Sequence, residues 1–505
     1  MASSPEQKKS YHVSKDFKGV NTKANRTAIG EDEFAWLENA MPVGFGNLKI
    51  TNTYSDVKIS NVAVTWANTV SYLSTANIGV SDYVLAFEED GRAEYYNITS
   101  GAKGNVAIAG TFSNAGVQIS QWENERVLII DPVKGYFTWD GNNTVSVGSI
   151  SKVTITNAGT GYTTAPNVTI SATQQTGGVN ATATCTVANG SVQTITITDA
   201  GTGYTNASNV TVTFSGGGGA NAAANVSVIN QPGTAIQSFS GRVWIANGRT
   251  VYYTAAGSYY DFTSVSAGNT ILTDATLHGN IQQLLSANNF LYIFGDDSIN
   301  VFSDVRVNTS GVTLFTNTNV SASVGSRLKY AIFPYFRSVL FMNDYGVYAL
   351  VGATTSKLSD PLDGVFPNID FTKPVYAGQV LVNNILCAAF NFYYTGVGPY
   401  PNGTPYNKYV QAVFFEKKWF FSNQLSTVKY VTSVPVGGKI NLYGSDGSNL
   451  VHLYNDSTSN VASIVQTALN AMNDPIRTKQ ATKIGVEVTV TGETTFNIQE
   501  IGRAH

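Results

Sequence analysis

Residues 242–257, RVWIANGRTVYYTAAG, hold a short apolar strand, a polar turn and a second, aromatic strand. Val, Ile, Trp and Tyr favour a pleated surface, while Asn and Gly between them favour a turn, so the stretch reads as a β-hairpin. The pattern returns 47 residues later in NFLYIFGDDSINVFSD (from Asn289), and 49 residues after that in SVLFMNDYGVYALVG (from Ser338). Upstream it appears as DYVLAFEEDGRAEYYN (from Asp82) and RVLIIDPVKGYFTWDG (from Arg126). Downstream it appears as NNILCAAFNF with YVQAVFFEKKWFFS, and as GKINLYGSDGSNLVHLYND (from Gly438).

A unit of roughly 40 to 50 residues with four strands has the spacing of a propeller blade. One small antiparallel sheet cannot bury its inner face, but blades packed radially bury it against both neighbours. The predicted fold class is therefore all-β: a β-propeller of about six to eight blades. Closing such a ring requires the N-terminal hundred residues and the last segment to lie close together.

One step is too long, from Arg126 to Arg242, and a tandem repeat accounts for it. NAGTGYTTAPNVTI (from Asn157) returns as DAGTGYTNASNVTV (from Asp199), so Tyr162 maps onto Tyr204 with an offset of 42 residues. Setting aside the repeat block, 149–229, brings the step down to about 36 residues. The block's strands alternate at period two, which predicts a small all-β domain inserted into a propeller loop. Within its motif, Gly159, Gly161, Gly201 and Gly203 supply turn geometry that a side chain would obstruct, and Tyr162 and Tyr204 cap a small core. These six residues are a structural repeat motif; a phosphate cradle would need a following helix and a lysine, and neither is present.

The organisation expected is an N-terminal arm or platform (1–60), a first propeller part (61–148), the insert (149–229), a second propeller part (230–460), and a C-terminal platform segment (461–505) closing on the N-terminus. ASIVQTALNAM (from Ala462) places Ile464, Val465, Ala468, Leu469 and Met472 on one helical face, yet a buried strand fits the following DPIRTKQATKIGVEVTV as well, and a short apolar run does not settle the assignment.

Only 12% of the 505 residues are charged, and the net charge is -3. No basic run exceeds a pair such as Lys8-Lys9, so the clustered cations that grip nucleic acid are missing. Two cysteines, Cys185 and Cys387, exclude a disulfide framework. The opening MASSPEQKKSYHVSKDFKG has no apolar core to make it a signal peptide, and no 18-residue apolar run exists, so no membrane span is expected.

Four segments resemble the tail nozzle, or tail tubular, proteins of short-tailed phages. KDFKGVNTKANRTAIGEDEFAWLENAMPVGFGNLKI (Lys15 to Ile50) looks like that family's opening. SGRVWIANGRTVYYTAAGSYYDF (from Ser240) and GNIQQLLSANNFLYIFGDDSINVF (from Gly279) look like its central blades, and DPIRTKQATKIGVEV (from Asp474) like its C-terminal strands. The resemblance implies a virion tail protein assembled in the host cytoplasm. Six copies would form a ring below the tail adaptor, carrying fibres or spikes at the side and enclosing a channel for double-stranded DNA. The insert resembles small β-repeat modules of phage tail and bacterial surface proteins.

No enzyme chemistry is expected. His12, His278, His452 and His505 lie in unrelated regions without metal-ligand neighbours, and no HExxH or GxSxG occurs. The acidic groups Glu31-Asp32-Glu33, Glu88-Glu89-Asp90 and Asp296-Asp297 read as solvated turn residues rather than a hydrolytic pair. No catalytic, metal-binding or cofactor-binding residue is assigned. The alternatives are a secreted or surface adhesin that binds glycans and, after it, a propeller glycoside hydrolase.

Overall fold

In a computed structural model, the described residues are 16–469, apart from 45, 274–276, 399–403 and 460, together with 495. The chain divides into one unit of residues 13–468 and another of residues 1–12 with 469–505, and every strand among the described residues lies in the first. Most of the expected C-terminal platform lies outside the described residues.

Seven four-stranded antiparallel blades account for the hairpins. They span residues 70–107, 118–146, 235–271, 283–321, 332–357, 376–422 and 430–456, the last completed by Thr53–Asp56. Each quoted hairpin supplies the second and third strands of a blade, and the pair from Asn383 supplies the fourth strand of its blade as well. First strands pack on first strands around the ring, and the seventh blade's returns to the first blade's. The described residues thus form a closed seven-bladed propeller.

The apolar runs make sense because both faces of a blade are covered. Val127, Leu128, Ile129 and Ile130 are all fully buried, alternate residues facing opposite neighbours. Leu128 and Ile130 meet Ile236, Val243 and Ile245 of the third blade, whose opposite face sets Trp244 on Leu291 and Phe302 of the fourth. Tight two-residue turns join first to second strands at Ser240-Gly241, Asn288-Asn289, Asn383-Asn384 and Gly437-Gly438, every residue with positive φ.

The ring is sealed by chain ends. Thr53–Asp56 forms the outer strand of the seventh blade, with Ser55 opposite His452. Glu33–Glu38 extends the sixth blade's sheet beside Lys418–Ser422, and Ile464–Thr467 pairs with it as a strand rather than a helix, while residues 470–494 lie outside the described residues. Glu33–Glu38 and Thr53–Asp56, expected to belong to an N-terminal arm or platform, are therefore strands of propeller sheets, while Ala40–Val43 and Asn47–Ile50 pair with each other as a separate hairpin. Open sheet edges at the seam favour this pairing over a free arm.

Residues 149–229 run between the second and third blades and pair with no blade strand among the described residues. The two repeats are interlocked. The first strand of copy one, Ser149–Thr160, pairs with the last of copy two, Ala220–Ile229; the middle strands Asn167–Ile170 and Val212–Ser215 pair; and Thr182–Ala188 pairs with Ser191–Asp199. Together they enclose Ile150, Val168, Ile170, Ala183, Tyr204 and Val210. The insert is pinned to the ring by Gly203 N–H to Ser146 O (2.9 Å), Tyr204 N–H to Gly148 O (3.0 Å), and Tyr260 O–H to the Asp199 carboxylate (3.2 Å).

Candidate functional site

The six motif residues form two equivalent turns rather than one centre. Gly159 (φ +69°) and Gly201 (φ +64°) sit where a Cβ would meet backbone at 2.5–2.7 Å and a tyrosine ring, Tyr162 or Tyr204, at 2.7–2.8 Å. Gly161 and Gly203 also have positive φ, so both turns need glycine for conformation as well as space. Tyr204 is fully buried; its hydroxyl accepts from Ala181 N–H (2.9 Å) and donates to Ser171 O (3.1 Å). Burial pushes that phenol up. Tyr162 is 5% exposed and lies against Gly219. Nothing in either turn aims a reactive group at solvent.

Two of the acidic groups behave as turn residues. Glu33 accepts from Gly30 N–H (2.8 Å) and Asn21 Nδ2 (2.9 Å), and Lys18 pairs with Asp32 at 2.6 Å. Gln282 donates to Asp296 (2.8 Å), and His278 Nδ1 lies 3.1 Å from Asp297. The third group departs from the expectation. Glu88 ends the strand Ser81–Glu88, and its side chain is wholly buried because the segment leading into the first blade covers it. No hydrogen-bond donor satisfies either of its oxygens. Burial, with the neighbouring Glu94 carboxylate adding to it, pushes Glu88 up to about 7; the Asn68 backbone amide offsets part of this without forming a well-aligned bond.

His452 stacks on Tyr443 (4.5 Å between ring centroids), and burial lowers it to about 4. His12 and His505 lie outside the described residues. Cys387 is buried, its thiol pushed up to about 12, and Cys185 lies against Pro166 O. Among the described residues no group of three or more His, Cys, Asp or Glu could hold a metal ion, and no helix is long and apolar enough to cross a membrane.

Contacts between blades that are not neighbours can form only at the ring's axis, and several do. Tyr330, leading into the fifth blade, stacks on Tyr72 of the first (4.6 Å) and Tyr376 of the sixth (4.9 Å), and donates to Val117 O beside the second (2.9 Å). Tyr430 of the seventh packs edge-on against Tyr376, and Gln118 Nε2 donates to Gln282 O, linking the second and fourth blades (3.2 Å). Lys329 leans on Gly116 O and the Tyr330 ring, where burial lowers it to about 8. At this level the axis is occupied by side chains.

The tyrosines had no local signal in the sequence, since each is one of 27 and only ring closure gathers them. An open depression of about 620 Å³ lies between the hairpin tips of the third and fourth blades, lined by Ser238, Phe239, Ser286, Asn288 and Asp304 among others.

A scan against protein-family models finds no match, and a search of curated proteins finds none. Among solved structures the chain is similar to BamB of Moraxella catarrhalis (12% identity, TM-score 0.37, covering 82% of this chain and 100% of that one). It is also similar to the WD40 repeats of RRP9 (7% identity, TM-score 0.39, covering 80% and 98%) and to YCF48 solved with a D1 peptide (8% identity, TM-score 0.39, covering 78% and 96%). The ring itself follows from the sheet order and its closing contacts.

Proposed function

We propose that this chain is a structural virion protein: one subunit of a six-membered tail nozzle that extends the portal and adaptor channel, guides or gates exit of double-stranded DNA, and supports receptor-binding fibres. The observation that carries the reading is the order of the four segments, Lys15 to Ile50, from Ser240, from Gly279 and from Asp474, that resemble such proteins. The occupied axis bears on how the particle would work. With Tyr72, Tyr330, Tyr376 and Tyr430 across the middle of the ring, DNA would pass between subunits, and each propeller would serve as a solid wall block. A net charge of -3 without clustered cations suits a wall along which phosphates slide rather than bind.

The test is the assembly. Mass by light scattering together with negative-stain images of the purified chain, alone and with a tail adaptor, should show closed six-fold rings, with only weak, non-saturating binding to duplex DNA. A monomer under all conditions, or tight DNA binding with a steep salt dependence, overturns the reading.

A second reading, a glycan-binding adhesin, draws on the depression between the third and fourth blades, where Ser, Asn and Asp side chains surround Phe239. A monomer that gives a glycan-array signal, lost in Phe239→Ala, would favour it over the nozzle.

A further inference from the structure

The segment 64–70 is the strap that crosses from the seventh blade to the first. Trp66 N–H donates to Ser448 O (2.8 Å) and Val70 N–H to Gly447 O (2.8 Å), while Leu450 N–H donates to Val64 O (3.0 Å). On the first blade's side it is held by Glu89 N–H to Thr69 O (2.9 Å) and by Ala67 N–H to Glu94 Oε2 (2.9 Å). Glu94 therefore fastens the strap by its side chain, and the same oxygen pairs with Lys103 Nζ at 2.7 Å.

Glu88 stands beside that clasp. Glu94 is opposite Ala86 in the ladder, so Glu88, two residues along, projects from the same face on the neighbouring strand. Its side chain has no exposure and neither oxygen has a hydrogen-bond donor. Arg92 Nε is 4.0 Å away and is engaged by Asp90 at 3.0 Å. On the seventh blade's side, Lys429 lies near Gly447 beside Thr69, and Asp446 accepts from the backbone of Ser448 and Asn449. Arg92 thus reaches Glu88 only at the outer limit of an ion pair and shares its charge with Asp90. A carboxylate with no exposure and no donor, on the same face as a second carboxylate, ionises only at a cost, whereas a proton on Glu88 makes it a donor to Glu94.

We propose that Glu88, protonated beside Glu94, latches the 64–70 strap at the ring's seam, closed while Glu88 carries its proton and loosened when the proton passes to solvent. Closed, Glu88 donates to Glu94, which keeps hold of Ala67 and Lys103. Open, the repelling carboxylates hydrate and the strap parts from the first blade. The sign follows from Glu88's raised position, about 7 against an ordinary 4.5. The closed state binds the proton more tightly than the open one, so closure is fully favoured below the ordinary value and lost as pH rises through about 7.

The experiment is hydrogen exchange of the Trp66, Ala67 and Val70 amides in the full chain at pH 5.5 and pH 8, corrected for intrinsic rates. The strap's opening constant in the wild type should rise about 30-fold between the two. In Glu88→Gln, whose amide donates to Glu94 at any pH, it should stay flat; Glu88→Leu, which likewise cannot titrate, serves if the first variant does not fold. A flat wild-type profile, or the same rise in the variants, overturns the proposal. So does wild-type protection at pH 8 that calcium restores and Glu88→Gln does not show, because a cation rather than a proton would then bridge the pair.

Discussion

Replacing Tyr204 with phenylalanine removes one oxygen from the insert's core and strands two backbone groups, Ala181 N–H and Ser171 C=O. The ring stays, so little apolar contact is lost and the change isolates polar satisfaction. Ala181 is 4% exposed, so water cannot readily replace the lost acceptor, whereas Ser171 is only half-buried and can be rehydrated. A stranded buried amide costs about 1–3 kcal/mol, and losing the second bond adds about 0.5–1 kcal/mol, giving about 1.5–4 kcal/mol together. At about 1.4 kcal/mol per tenfold change, local opening of the insert rises about 10- to 700-fold.

Exchange of amides in 182–199, measured by mass spectrometry on the full chain, reads this directly. The interlocked repeat provides its own control: the Tyr162 hydroxyl makes no such bridge among the described residues, so Tyr162→Phe should change opening by less than about threefold. Equal effects at the two positions, or less than about threefold at Tyr204, would refute the reasoning.

Deleting 149–229 and joining the ends with a short glycine turn should leave the propeller's far-UV spectrum and melting point nearly intact. Ser149 pairs with Ile229, so the ends already adjoin, and the strands between them pair only among themselves; loss of cooperative melting would show that the insert props the ring. Removing residues 1–60 takes away the outer strand of the seventh blade and buried Phe34, Trp36, Leu37 and Met41, each worth about 2–3 kcal/mol. That approaches the whole stability of a typical domain, so the truncated chain should aggregate, and a soluble, cooperatively melting product would count against the seam. For His452, burial keeps the folded imidazole neutral down to about 4 while the unfolded one takes up a proton near 6.5. Stability should therefore fall as pH drops from about 6.5 to about 4, and level off below. His452→Phe, which keeps the stack on Tyr443, should remove that slope in melting points taken across the window; an unchanged slope assigns it elsewhere.

What could be read from the sequence was local. The second and third strands of every blade were legible because each hairpin carries its own turn and its own apolar runs, and the repeat was legible because its copies are nearly identical. The paired asparagines at 288–289 and 383–384 are equally local markers of first-to-second strand turns, and they went unread. Glu88 reads locally as a solvated turn acid, and that reading fails. Its neighbours Glu89 and Asp90 do belong to the turn, but Glu88 lies beside a strap that the first and the seventh blade hold together.

The same limit applies to each non-local feature. Thr53–Asp56 finds its partner some 400 residues away, the first strand of the insert pairs with its last, and Tyr72, Tyr330 and Tyr376 meet only because the ring brings distant blades to one axis. Side-chain alternation and turn chemistry act over a few bonds and are written in the order of residues. Which strand covers an edge, and which carboxyl loses its water, depends on what arrives from elsewhere in the chain, so only the closed ring decides it.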